Sequence, residues 1–348
     1  MKPLSYHQIL VSVRVLSLAM AALFISAQIS LAQNPPEHVK AESENQVVEV
    51  RTGHDHMNNR HQFLLSTKEI PSGWTTFRLA NSTSYDHFFL LYKIPEKAIE
   101  EAGNHQIPVL EYWEENVTKP FQDEFNPYIK GDINYEAFVE NLVGKISNTA
   151  PWFFDPGAPT MGGAGFTSSG NASQTTLNLN PGQYLLECYI KDENENFHSY
   201  LGMTEVITVN GNRSSQESPQ ATAKVVISSG EGIKIENPAK SGHNIVEIFF
   251  KDQSVYEHLL GHNVQLVKLG DRTDQQAIDE LARWMDWTKP GSLIDQAPHG
   301  ATFLGGTMEM QEGASAYFHV ELLPGQYAWI AEVPDPQAKK MFVRFSIK

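Results

Sequence analysis

Cysteine is nearly absent: a chain of 348 residues carries one, Cys188. A lone cysteine closes no internal disulfide, so its thiol is left as a small buried hydrophobe or as a ligand. Basic residues are also scarce. Lys and Arg number 26 against 41 Asp and Glu, a formal net charge of −15. That balance argues against nucleic acid and anionic membrane surfaces as partners, and it would steer the chain towards a basic protein. Long apolar runs are confined to the N-terminus. Residues 1–32 contain no acid, carry Lys2 and Arg14, run apolar from Val15 to Ile29 and end Ser30-Leu31-Ala32 before Gln33. The pattern predicts a signal peptide over 1–32, removed on export to the periplasm or cell exterior. No later stretch is apolar enough for a membrane span. A phosphate-binding loop, a nucleophile with a base partner and a paired-carboxylate motif are all missing, so the chain reads as a carrier or binding protein rather than an enzyme.

What the chain does contain is a repeat. Gly162-Gly163 and Pro181-Gly-Gln-Tyr184 recur 143 positions later as Gly305-Gly306 and Pro324-Gly-Gln-Tyr327. Thr176-Leu-Asn-Leu179 matches His319-Val-Glu-Leu322 at the same offset, an alternation that suits a half-buried strand. His87-Phe-Phe-Leu-Leu-Tyr-Lys-Ile94 matches His262-Asn-Val-Gln-Leu-Val-Lys-Leu269 at an offset of 175, so the first copy holds an insert between about Pro95 and Phe154. The repeat predicts one domain over 45–210, an apolar-poor linker over 211–223 and a second domain over 224–348. Gln46–Arg51, Gln62–Ser66 and Thr75–Leu79 are short and rich in β-formers, and Pro71-Ser-Gly73 reads as a turn between two of them. Helical spacing is limited to Glu96–Glu101, Tyr135–Lys145 and Asp274–Trp287. The expectation is an all-β chain of two tandem β-sandwiches with short helical inserts.

Chemistry concentrates after the strand that ends at Cys188. The spacing Cys-x9-His-x4-Met places His198 and Met203 on the loop before the alternating run Thr204-Glu-Val-Ile-Thr-Val209. Thiolate, imidazole and thioether together are the donor set of a mononuclear blue-copper site, and His87 is placed to supply the second imidazole. In this order the chain resembles the cupredoxin family, whose fold is a Greek-key β-sandwich. Pro71-Ser-Gly-Trp-Thr-Thr-Phe-Arg-Leu-Ala-Asn81 followed by His87 matches the family's first ligand segment, and Cys188, His198 and Met203 match the second. The resemblance implies one type 1 copper ion held by His87, Cys188, His198 and Met203, an electron-transfer role and a redox-protein partner. Residues 189–197 make a longer Cys-to-His loop than the small electron carriers have.

The second copy lacks the set. Ala331 stands where Cys188 does, Met341 matches Met203, and the loop that would carry a second histidine is shorter. His262 alone does not make a strong site, so this copy reads as structural or docking. His54-Asp-His56-Met57 and His61 form a further cluster, read as an accessory copper site, a copper entry route or a solvated polar loop. Alternatives to an electron carrier are a copper chaperone or storage module and a metal-free interaction module. A two-domain copper oxidase or reductase would need several His-x-His motifs, and the chain has one, His54-x-His56.

Overall fold

β1 (Val47–Asp55) and β2 (Arg60–Leu65) form a hairpin, and β1 also runs parallel to β3 (Glu69–Ala80). The computed structural model describes residues 46–348 apart from 156, 272 and 295, so the segment read as a signal peptide lies outside the described residues. One layer of the first copy is β2-β1-β3-β5, with β5 at Ala172–Leu179. The facing layer pairs β4 (Leu90–Lys93), β6 (Gly182–Glu187) and β7 (Thr204–Arg213), and joins the N-terminal end of β3. The second copy repeats this pairing. β9 (Gly232–Asn237), β8 (Ala223–Ser228), β10 (Gly242–Phe250) and β13 (Ser315–Leu322) make one layer. β12 (Ala301–Thr307), β11 (Val264–Leu269), β14 (Gly325–Ile330) and β15 (Phe342–Ile347) make the other. The chain is all-β with helical inserts, as its alternating patterns predict.

β3 serves both layers because it bends. The segment read as a turn, Pro71-Ser-Gly73, is instead the crossing point inside one long strand. The register with β7 shifts between Pro71 and Ser72, and Gly73 takes φ +106°, which frees the chain to leave one sheet for the other. Phe77 on β3, Phe63 on β2 and Phe89 before β4 meet in the interior with ring centroids 5.6 and 6.1 Å apart.

The two copies do not stand apart. β5 and β13 pair antiparallel, and Thr175 lies opposite its own counterpart in the repeat, Phe318. Ala164 likewise bridges to its counterpart Thr307 in the facing layer. Equivalent residues meeting at both points relate the copies by a local twofold axis, the geometry of a self-complementary dimer built into one chain. Asn45–Lys348 accordingly forms one compact unit. The stretch read as a linker is held against both copies: β7 extends to Arg213, Ser214 donates its N–H to Ser72 O at 2.7 Å, and Ser218 donates to the Tyr317 hydroxyl at 2.9 Å.

The landmarks that revealed the repeat have physical causes. A Cβ on Gly163 would lie 1.9 Å from the Phe89 carbonyl oxygen, and one on Gly306 would lie 2.1 Å from that of Val264, the matching position. Tyr184 and Tyr327 are buried, and each donates its hydroxyl to the carbonyl four residues back, Asn180 at 2.6 Å and Leu323 at 2.7 Å.

The insert of the first copy holds α1 (Glu96–His105), α2 (Val109–Trp113), a π-helical turn over Glu114–Thr118, α3 (Lys119–Ile129) and α4 (Tyr135–Thr149). The sequence pattern misses α2 and α3, because Pro120 and Pro127 mask the helical periodicity of the latter. α5 (Gln275–Met285) belongs to the second copy. Phe121 and Phe125 on α3 pack against Phe197 at 5.4 and 4.7 Å, and Trp287 closes the cluster 6.1 Å from Phe197. Both inserts therefore cover the long loop after Cys188.

Candidate metal centre

His87 sits at the end of a loop pinned by Asn81. The Asn81 amide donates to Tyr85 O and Thr167 O at 2.7 and 2.8 Å, while its Oδ1 accepts from the hydroxyls of Thr52 and Thr83. The Thr83 proton is thereby committed, so its oxygen accepts from His87 Nε2 at 2.8 Å. The proton on His87 belongs to Nε2, and Nδ1 is left with a lone pair. That Nδ1 lies 3.6 Å from Cys188 Sγ. Two metal bonds of about 2.0 and 2.3 Å meeting near the tetrahedral or trigonal angle span about 3.5–3.7 Å, so this separation fits an ion between them.

Cys188 and Met203 are adjacent rungs of one ladder. The Cys188 N–H donates to Met203 O at 3.3 Å, and the Met203 N–H donates to His198 O at 2.7 Å. The His198 N–H returns to Ile190 O at 2.7 Å, closing the loop onto the strand end. Length does not leave this loop loose. The Lys191 N–H donates to Leu293 O, Gln122 Oε1 accepts from the Phe197 N–H, and Asp192 Oδ1 accepts from the N–H groups of Asn194 and Asn196. His87, Cys188, His198 and Met203 are each 0% exposed.

The electrostatics are those of neutral donors awaiting a cation. Both ring nitrogens of His198 are buried without a hydrogen-bond partner, and in a folded interior such groups call for an explanation. Burial, reinforced by neighbouring imidazoles, holds His87 and His198 well below the usual histidine range. Burial also pushes the Cys188 thiol up to about 12, so metal binding must displace its proton.

His61, which the sequence grouped with His54 and His56, lies against His87 and His198. One of its ring nitrogens lies within 4.8 Å of one on each of His87 and His198, and it is 0% exposed with neither nitrogen bonded. The signal was present in the hairpin register. His61 pairs with His54, and its N–H donates to Leu201 O at 3.1 Å, which carries it over the His198 loop. His61 and His198 stack face to face, however, with centroids 3.7 Å apart and planes 14° from parallel. A ligated metal lies near the plane of its imidazole at about 2 Å from the nitrogen, so one ion does not reach two planes stacked at this distance. His61 and His198 therefore do not share one ion in this arrangement.

In the second copy the Ala331 N–H donates to Met341 O at 3.0 Å, the counterpart of the Cys188 bond. The Tyr256 hydroxyl lies 3.1 Å from His262 Nδ1 and 3.9 Å from Met341 Sδ, occupying the space between them.

No protein-family model and no curated protein matches the chain. Solved structures do. Auracyanin from Roseiflexus castenholzii, reduced with Na-dithionite, is 15% identical, covers 48% of this chain and 98% of its own, and superposes with a TM-score of 0.24. Auracyanin A, a "blue" copper protein from Chloroflexus aurantiacus, gives 15% identity, 48% and 100% coverage and a TM-score of 0.24. Copper nitrite reductase from Nitrosomonas europaea gives 10%, 88%, 94% and 0.22. Superpositions as loose as these carry no functional weight, which rests on the side chains.

Proposed function

We propose that the chain is an exported cupredoxin-like electron carrier in which His87, Cys188, His198 and Met203 hold one type 1 copper ion. The observation that carries this reading is the fixed pair of His87 Nδ1 and Cys188 Sγ, 3.6 Å apart, beside a wholly buried His198 with no other partner. Copper bound there would supply a one-electron couple. The protein's part is to hold the donors still. Asn81 and Thr83 fix the His87 ring, the Met203–Cys188–His198 backbone bonds fix the loop, and the Phe121, Phe125, Phe197 and Trp287 cluster prevents it from opening. Rigid, dry donors change little between oxidation states, which keeps reorganisation small. The acidic surface favours a basic redox partner. No helix among the described residues is long and apolar enough to cross a membrane.

The alternative role as a copper store or chaperone draws on the same ligands and separates on one measurement. Voltammetry of the copper-loaded protein should give a reversible one-electron wave with metal content unchanged over many cycles. Release of copper on reduction would replace the carrier by the chaperone.

A further inference from the structure

Five imidazoles form a continuous column from the surface to the thiol. His56 and Met57 are exposed at the hairpin tip, Met57 at 95%. His54 and His56 lie on one face of the strand end, with ring centroids 4.1 Å apart. His54 stacks on its cross-strand partner His61 at 4.1 Å, and His61 stacks on His198 at 3.7 Å. His198 lies 5.1 Å from His87, whose Nδ1 faces Cys188. Tyr85 stands edge-on to His54, His61 and His198, flanking the column.

Building on the copper reading above, we propose that His56, His54 and His61 are a copper entry site that captures the ion at the hairpin and passes it, imidazole to imidazole, to the buried ligands. Stacking alone does not account for His61. A phenylalanine would fill the same place between His54 and His198 without burying two unpartnered ring nitrogens, as His61 does, and without the unpartnered buried Nδ1 of His54. Free nitrogens are what a relay needs. Two imidazole–metal bonds of about 2 Å each span up to about 4 Å, and one ring nitrogen from each of His61, His87 and His198 falls within 4.8 Å of the other two. Sharing an ion with a neighbour requires the His61 ring to tilt out of the stack, and no hydrogen bond to either of its nitrogens opposes that tilt. The exposed thioether of Met57 adds a soft donor at the mouth.

Apo protein mixed with one equivalent of Cu(II) in a stopped-flow instrument, with freeze-quench electron paramagnetic resonance alongside, tests the proposal. In wild type an early copper signal with nitrogen ligands only should precede the thiolate band. The surface variant His54→Ala/His56→Ala should lose the early signal and form the band at least tenfold more slowly, with the same final intensity. His61→Phe, which keeps the stack and removes the nitrogens, should slow uptake likewise. Uptake within twofold of wild type in either variant overturns the proposal. If no thiolate band forms even in wild type, the ligand assignment fails separately. The column is then judged by the nitrogen-only signal, whose persistence in His54→Ala/His56→Ala overturns it.

Discussion

Cys188 and Ala331 occupy the same place in the two copies, each donating its N–H to a methionine carbonyl, Met203 at 3.3 Å and Met341 at 3.0 Å. The backbone is shared, while the thiol is confined to the first copy. Ala331→Cys should therefore add a thiol without a second site, because the Tyr256 hydroxyl stands between His262 and Met341 and the nearby His258 is held by Glu332 O at 2.7 Å. Copper titration of this variant should still end at one thiolate-ligated ion per chain. Doubling of the charge-transfer intensity would show that the second copy binds metal as the first does.

Thr83 is the residue that sets the His87 tautomer. Thr83→Val removes the acceptor for Nε2–H and lets the ring turn. Partners of this kind are worth about 10–100-fold in metal affinity, so competition with a chelator should show a loss of that size while thermal unfolding of the apo protein changes little. An unchanged affinity would mean that packing alone orients His87.

Acid should unfold the apo protein through its histidines. Burial holds His61, His258, His262 and His319 at about 4, with His87 and His198 also well below the usual range. The unfolded chain takes up these protons near pH 6.5 and the folded chain does not, so this stability is full above about 6.5 and is lost as pH falls towards 4. Glu187 and Glu309, raised to about 7 by burial, and Glu332, also raised, act in the opposite sense. Their contribution is full below about 4.5 and is lost as pH rises through 7. Six imidazoles outweigh four raised carboxyls, Asp86 being the fourth. Denaturation midpoints should rise from pH 5 to about 6.5 and then flatten or fall slightly; a higher midpoint at pH 5 than at 6.5 would contradict this.

Gly163→Ala and Gly306→Ala test the matched glycines. Each adds a Cβ into a neighbouring carbonyl at a φ that side chains rarely adopt, +147° and +144°. Overpacking and backbone strain together should cost at least about 2 kcal/mol at either position. Urea unfolding should show similar losses for both, and a neutral outcome at one would break the equivalence of the copies.

The glycine pairs and the Pro-Gly-Gln-Tyr turns were legible in sequence because each is local: a close approach and a buried tyrosine hydroxyl. Pro71–Gly73 misled because turn chemistry and a strand crossing between sheets use the same residues. α3 was hidden by Pro120 and Pro127. The pairing of Thr175 with Phe318 and the place of His61 depend on register between segments distant in sequence, which composition and periodicity do not encode. His61 was nonetheless one step from being found, since the period of 2 along β1 and a four-residue turn set it opposite His54.

In the proposed site Cys188 ligates copper together with His87 and His198. The absorption spectrum of the Cu(II)-loaded protein, recorded beside Cys188→Ser, tests it most directly. An intense visible thiolate-to-copper band at one copper per chain, absent from Cys188→Ser, is the predicted result. Tight copper binding with no such band, or a band that survives in Cys188→Ser, would contradict it.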